Sequence, residues 1–314
     1  MAVRSVSMQV KARRITIEFH HNVKGSTLPQ LFPQELTQQT RQHFQRQAAH
    51  YEQTAVVQQT IAKRLLARLC YLRMQPERVV DLGCGTGFVS AGLLQRYKKA
   101  HVISMDSAPA MLTYTRRQGG WWRKPTVIAA DATQLPLQDQ SIDMVLSNVM
   151  LPYCADWAAV FAEVMRVLRP EGVFMFTALG PDSLQEWRQS WQQGAGASTD
   201  MAHYLRDMHD MGDELLAAGF RDPVMDREVL TLTYRHWSDL LRELRHSGVR
   251  AMARHAPIKP LTRQTVKAVQ HAYAQQRQAD GLYPLSLEVV YGQAWAPIIQ
   301  SQGKPARYIP IQSR

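Results

Sequence analysis

Cysteine is scarce in this chain: 314 residues hold three, Cys70, Cys84 and Cys154, widely separated and with no C-x-x-C pair. That argues against a disulfide framework or a zinc site and fits a reducing compartment. Long apolar runs are missing too. One of the longest, residues 172–179, is far short of the roughly 20 residues that a membrane-spanning helix needs. No transmembrane helix is expected, and the expected location is the cytoplasm. Acids are the third shortage, with 26 Asp and Glu against 37 Lys and Arg and a formal net charge of +11. An excess of that size draws an acidic partner by long-range attraction, whether nucleic acid, an anionic membrane surface or an acidic protein, without choosing among them. Internal repeats and low-complexity segments are absent as well. What remains is 45% hydrophobic and 20% charged, enough to bury a large core in one enlarged domain.

Residues 1–36 read as a basic, solvated arm: Arg4, Lys11, Arg13, Arg14 and Lys24 face the single acid Glu18 up to residue 34, with no apolar core or cleavage pattern of a targeting peptide. Helices are predicted over 38–50 and 56–72, the second with Ile61, Leu65, Leu69 and Leu72 on one face. Strands at 78–82, 101–105, 126–129, 144–147 and 173–179 then alternate with helices at 89–96, 108–117 and 157–168. That alternation predicts an α/β fold, a parallel sheet with helices on both faces. Further on come a helix over 210–218, ended by Gly219, and strands over 225–234 and 285–295. Between those last strands lies a long helical insert (about 236–283) where a bare sheet would need only a turn, and it is expected to face the substrate. Residues 192–199, with Gly194 and Gly196, are the best linker candidate. The whole domain is expected to span 37–296, followed by a tail over 297–314.

One stretch carries the first chemical statement: Val79-Val80-Asp81-Leu82-Gly83-Cys84-Gly85-Thr86-Gly87. An apolar strand enters a glycine turn and then a helix, which lets backbone approach a nucleotide-like cofactor closely. The spacing departs from the G-x-G-x-x-G of dinucleotide folds. It resembles the S-adenosylmethionine site of class I methyltransferases, whose seven-stranded Rossmann-like sheet is the implied fold. Asp106, at the end of the second strand, can accept from both hydroxyls of a ribose. Asp131, after the third strand, stands where that class takes the adenine amine, and Asp81 is expected to anchor the ammonium of the methionine portion. Each acid taken singly is also an ordinary strand-ending turn residue; in register with the glycine turn they form a set. Cys84 reads as a packing residue.

The fourth strand ends Ser147-Asn148-Val149-Met150-Leu151-Pro152-Tyr153 and lacks the N/D-P-P-Y-like run of amine-directed methyltransferases. Cys154 has no supporting context for nucleophilic catalysis. Asn148 is a candidate on both the cofactor and the substrate side. No covalent machinery is evident, and an acceptor that is already an anion needs none.

The C-terminal half is more particular. Gly180-Pro181-Asp182-Ser183-Leu184, the Met208-His209-Asp210 helix start, Thr231-Leu232-Thr233-Tyr234 and the strand from Glu288 through Tyr291 to Trp295, together with Phe44 to Tyr51-Glu52, resemble the malonyl-[acyl-carrier-protein] O-methyltransferases of biotin synthesis. The likeness runs from about residue 42 to 295. The basic arm, Gln293 in place of a histidine, and the tail beyond Ala296 depart from it. The resemblance implies methyl transfer from S-adenosylmethionine to the free carboxylate of malonyl on its carrier protein, which removes the charge and makes a primer for pimeloyl synthesis. Carrier proteins are acidic, and residues 235–267 hold eight bases against two acids, so Arg235, Arg242, Arg245, Arg250 and Arg254 become docking candidates. Tyr51 and His209 are substrate-side candidates, His209 with a helix-cap alternative. Trp121 and Trp122 are expected to pack or to cover a loop and are given no role. The alternatives are a cofactor-binding assembly factor of the same family without transfer activity, and another small-molecule or tRNA methyltransferase.

Overall fold

The computed structural model describes residues 33–196, 205–246 and 262–298. Two helices, α1 (Pro33–Thr54) and α2 (Val56–Arg68), precede the sheet. Strands β1 (Arg78–Leu82), β2 (His101–Asp106), β3 (Thr126–Ala129), β4 (Ile142–Asn148) and β5 (Leu168–Leu179) alternate with α3 (Phe88–Arg96), α4 (Pro109–Thr115) and α5 (Trp157–Val167). Then follow α6 (Gln185–Ala195), α7 (Met208–Ala217), β6 (Arg221–Tyr234), α8 (Trp237–His246), α9 (Arg263–Ala274) and β7 (Tyr283–Trp295). The seven strands form one sheet in the order β3-β2-β1-β4-β5-β7-β6. The first five are mutually parallel, and β7 runs antiparallel to both β5 and β6. Strand order reverses between β1 and β4, the place in an open parallel sheet where ligands settle beyond the strands' C-terminal ends.

Strand periodicity divides the core between two faces. Val79, Met144, Val173 and Met175 point to the side covered by α2, whose Ile61 and Leu65 are fully buried. Their neighbours Val80, Val145, Phe174 and Phe176 point to the side of α5 and α7, where Phe161 packs edge-on into Phe174 and Trp157 edge-on into Phe161. A strand buried on both faces carries no polar alternation, which is why β1 and β4 read as continuous apolar runs. Fully burying one such side chain contributes about 1.5–3 kcal/mol.

Three expectations need correction. The proposed linker begins inside α6, which runs to Ala195 and ends at Gly196, φ +60°. Gly194 is there for close packing: a Cβ on it would lie 2.6 Å from the Val269 nitrogen of α9. The fifth strand, expected over 173–179, begins at Leu168 and carries a bulge, with Glu171 at φ +62° and the β4–β5 register jumping from Leu168 to Val173. Trp121 and Trp122 do not pack; they are 93% and 96% exposed. The insert between β6 and β7 contains α8 and α9, held to α6 and β7 by a cluster of Trp187, Trp237, Tyr273 and Tyr283. Residues 1–32, 197–204, 247–261 and 299–314 lie outside the described residues; they include most of the expected arm and tail, the end of the linker candidate, and Arg250 and Arg254.

Candidate active site

β1 delivers Asp81 into the interior and then turns sharply. The Gly83 and Cys84 amides both donate to the Met105 carbonyl of β2, at 2.8 and 2.9 Å, so the turn is stitched across the sheet's top. Gly83 and Gly85 sit at φ +74° and +53°, a region costly for any residue with a Cβ. At Gly83 that Cβ would also lie 2.3 Å from Met150 Cγ. Met150 reaches this point because Val149 adopts φ +52°, a rare conformation for a β-branched residue, fixed by its amide donating to the Thr177 carbonyl and hydroxyl.

Asp106 and Asp131 border one cavity of about 760 Å³. Asp106 Oδ2 accepts from the Gly85 amide at 2.9 Å and Oδ1 from the Ala108 amide at 2.8 Å, which leaves each oxygen a further lone pair. Burial pushes its carboxyl up. Asp131 begins the loop after β3; the Thr133 amide and hydroxyl both donate to Oδ1, and Oδ2 is taken by neither. From α1, Arg41, Phe44 and Tyr51 cover the opening, with Phe44 edge-on to Tyr153 at 5.0 Å.

Beside it lies a small second cavity bordered by Asp81, Gln58, Thr86 and Phe88; the two share Tyr51, Gly83, Gly85 and Asn148. Asp81 is 1% exposed, and only Oδ2 is engaged, by Ser90 Oγ at 2.5 Å. Oδ1 is buried and unpartnered, and burial pushes the carboxyl up to about 7. A buried carboxylate oxygen without a donor is costly unless a cation or donor is brought to it. The set therefore fits S-adenosylmethionine on this structure's own terms. The ammonium would meet Asp81, the ribose hydroxyls Asp106 and the adenine amine Asp131, while the glycine turn leaves room for backbone contact, with only Tyr51 Cε1 near a Gly85 Cβ, at 3.6 Å.

The remaining candidates separate. Tyr51 stands at the junction of the two cavities, its hydroxyl held protonated by burial and by the charges of Asp106 and Glu243. Asn148 is engaged on both ends of its amide: the nitrogen donates to the Gln58 carbonyl at 3.1 Å and the oxygen accepts from Thr177 Oγ1 at 3.0 Å, joining α2 to the strand ends. His209 is not brought to the site. Its side chain is 78% exposed, and Nδ1 pairs with Asp207 at 2.7 Å where Asp207 caps α7, so the cap alternative describes it. Cys84 is buried and Cys154 lines the large cavity beside the Met150 sulfur; burial raises both thiols, Cys154 to about 12, so neither is a thiolate. Tyr291 belongs to the core, bonded to Glu228 with the Arg68 guanidinium 3.5 Å above its ring. Arg235, Arg242 and Arg245 are exposed at the start of and along α8.

Arg41, Met150 and Tyr153 were not singled out from the sequence. A signal existed in α1: Arg41, Phe44, Ala48 and Tyr51 fall at helical spacing, one stripe facing the cavity and α4. Met150 had none, since its position depends on the unusual turn at Val149.

Comparison with known proteins agrees with this geometry. Residues 80–176, from β1 to β5, match the methyltransferase-domain family. The malonyl-[acyl-carrier protein] O-methyltransferase of Halorhodospira halophila is 41% identical over 81% of this chain and 86% of its own length. Those of Gallionella capsiferriformans and Laribacter hongkongensis are 39% and 41% identical, over 82% and 84% of this chain and 90% and 91% of theirs. Among solved structures, the YcgJ protein of Bacillus subtilis superposes with a TM-score of 0.51 at 13% identity, over 75% of this chain and 99% of its own, a likeness of fold. With the acids in register on a class I sheet and relatives alike over four fifths of its length, the chain belongs to the malonyl-[acyl-carrier-protein] O-methyltransferase family of S-adenosylmethionine-dependent enzymes.

Proposed function

We propose that the chain methylates the free carboxylate of malonyl carried on an acyl carrier protein, giving the methyl ester that primes pimeloyl synthesis for biotin. The observation that carries this reading is the cavity itself. It gathers acids suited to the donor, yet its described lining holds no histidine, and its thiol is kept protonated. An acceptor with a proton to lose would find neither imidazole nor thiolate there, and the lining carboxylates are taken, Asp106 and Asp131 by the donor and Asp156 by the N-terminus of α5; a carboxylate acceptor has no proton to lose. When bound, S-adenosylmethionine supplies the electrophilic methyl, which the acceptor oxygen takes as the carbon–sulfur bond breaks.

The chain's own residues then supply position and dryness. Asp81, Asp106 and Asp131 fix the donor at three points along its length. Phe44 and Tyr153 close the cavity against water, which strips the acceptor carboxylate of the hydration that makes it a weak nucleophile. Tyr51, protonated and adjacent to the glycine turn, is placed to donate a hydrogen bond to the bound ligands. Arg41 is the one basic side chain among the described lining residues and draws the acceptor's anion inward.

The docking surface for the acidic carrier is the outer face of α8. Arg235, Arg242 and Arg245 are exposed, while Glu243 is buried, so one of the segment's two acids is withdrawn from the surface. The other, Asp239, pairs with Arg242 at 3.0 Å. This helix also packs on α1, the cavity's cover. Incubating the chain with methyl-labelled donor and malonyl-carrier protein should give a base-labile labelled ester; no ester on any malonyl thioester would remove the reading.

A further inference from the structure

The active site leaves one surface unused, at the other end of the sheet. Between α4 and β3 the Arg123 amide donates to the Gly120 carbonyl at 3.4 Å, closing a turn with Trp121 and Trp122 at its two corners. Turn corners ordinarily carry small or polar residues, because the fold offers nothing there for a large side chain to pack on. Both indoles are almost wholly exposed. The backbone beneath them is nonetheless fixed. The Arg123 guanidinium donates to the Leu94 and Tyr97 carbonyls at the end of α3, at 2.6 and 2.9 Å, and Gly119, φ +85°, lies so close to the Arg123 carbonyl that a Cβ would meet it at 2.2 Å. A held turn that presents two apolar rings has no role in stabilising the fold.

The rim of this turn is basic. Lys98 and Lys99 follow α3, Arg116 and Arg117 follow α4, and Lys124 follows the tryptophans; all five are exposed, and residues 96–99 and 116–124 contain no acid. Cations at helix C-termini complement the helix dipole and need no partner to explain them. The tryptophans have no such explanation. Indoles combined with basic side chains suit the boundary between lipid headgroups and acyl chains, where the ring is half solvated and the cations meet phosphate.

We propose that the Trp121–Trp122 turn and its basic rim form a docking surface for an anionic lipid bilayer. Position argues against the methyl acceptor's carrier as occupant: the turn precedes β3 and Lys99 precedes β2, whereas Asp106 and Asp131 stand beyond the opposite ends of those strands. Six residues of β2 separate the two ends by about 17–20 Å of sheet, so a carrier bound here would face away from the cavity. Charge argues against a second copy of this chain, which would bring a basic patch against a basic patch. Exposure of both indoles on all sides argues against a nucleic-acid stacking platform, in which the ring is usually backed by protein.

The test is cosedimentation of the full chain with vesicles of phosphatidylglycerol in phosphatidylethanolamine, against phosphatidylcholine alone, in a salt series. Binding to the anionic vesicles that weakens with salt is expected. It should fall at least tenfold in W121A/W122A and comparably in K98E/K99E, while methyl transfer to malonyl-carrier protein in vesicle-free solution stays unchanged in both. The two double variants remove different chemistry, so a folding defect in one leaves the other to decide. Absence of vesicle binding by the full chain, or binding unaltered in both variants, overturns the proposal. So does binding of single-stranded RNA or carrier protein that the tryptophan variant abolishes while vesicles are ignored.

Discussion

Strands β1 to β4 and strands β6 and β7 belong to one sheet yet carry their chemistry differently. The first group is short and parallel, buried except at the edge strand β3, and each functional acid stands near or just past a strand's C-terminal end, presented by backbone. The second group is long and antiparallel, 14 and 13 residues, and works through side chains along its length. There Glu228 of β6 accepts from Tyr291 of β7 and pairs with Arg64 of α2, while Arg227 meets the buried Glu288, whose other oxygen holds the Asp182 amide after β5. The donor half is thus built for one rigid ligand, and the acceptor half ties helices and loops to the sheet. Damage to the first should appear as lost cofactor affinity; damage to the second should leave that affinity alone.

The largest effect is expected at the glycine turn. Gly83→Ala puts a side chain at φ +74° and within 2.3 Å of Met150 Cγ, so the turn must move where it touches the donor. Calorimetry with S-adenosylhomocysteine should show affinity reduced about 100-fold or more, roughly 3 kcal/mol. Next comes Asp106→Ala, which removes the ribose acceptor and also strands the Gly85 and Ala108 amides. A 10- to 100-fold loss of affinity, with roughly 1–3 kcal/mol of stability per stranded amide, is expected. Wild-type affinity in either variant would break the distinction between the halves.

Asp81 sharpens it through pH. With its carboxyl pushed up to about 7, the ligand-free chain must ionise Asp81 before an ammonium can pair with it. Cofactor affinity should therefore fall about tenfold per pH unit below 7 and level off above it, and Asp81→Asn should abolish that slope. Folding stability has the opposite sign. The native pKa lies above the unfolded value of 3.8, so this group's contribution is complete below about pH 4 and is lost as pH rises through 7. Thermal unfolding of the ligand-free chain, compared with Asp81→Asn between pH 5 and 8, reads this directly.

The acceptor half predicts the reverse selectivity. Reversing Arg242 and Arg245 together to Glu should raise KM for malonyl-carrier protein about tenfold at low salt and less at high salt, because exposed charges act mainly on encounter. Cofactor affinity and KM for malonyl-coenzyme A should barely change. An equal effect on both acceptors would remove α8 as the docking face.

The same contrast explains what could be read from the sequence. Asp81, Gly83, Asp106 and Asp131 were legible because a strand end fixes their place from local pattern alone, and all four border the two cavities. Alternation made the parallel strands β1 to β5 legible, whereas the strand order and the antiparallel setting of β7, which depend on long-range pairing, were not read from it. His209 had two readings, a substrate-side group suggested by a family-like segment and a local helix cap, and its side chain pairs with Asp207, the cap of α7. Arg41 and Met150 were missed for different reasons: the α1 stripe that carries Arg41 was visible at helical spacing but did not say which surface it would cover, and Met150 depends on a strained turn at Val149 that has no short-range signature. Gly194, taken for a linker, serves a contact with α9 some 75 residues away, beyond the reach of any local rule.

The smallest prediction probes the acceptor half at its centre. Tyr291 donates to Glu228, and Arg68 lies over its ring while also bonding Asp226 at 2.8 Å, so one tyrosine joins β7, β6 and α2. Tyr291→Phe keeps the ring under the guanidinium and removes only the hydroxyl. Glu228 retains Arg64 and is itself partly solvated, so it is not left as an unpaired buried charge. The loss should be about 1 kcal/mol in denaturant unfolding, with cofactor affinity unchanged. Tyr291→Leu also removes the aromatic face and should cost more, since the cation contact and part of the core packing go with it. If Tyr291→Phe instead weakened the cofactor as much as Asp106→Ala, then α2, which borders the small cavity through Gln58, would be transmitting acceptor-half packing directly to the donor site, and the two halves would act as one.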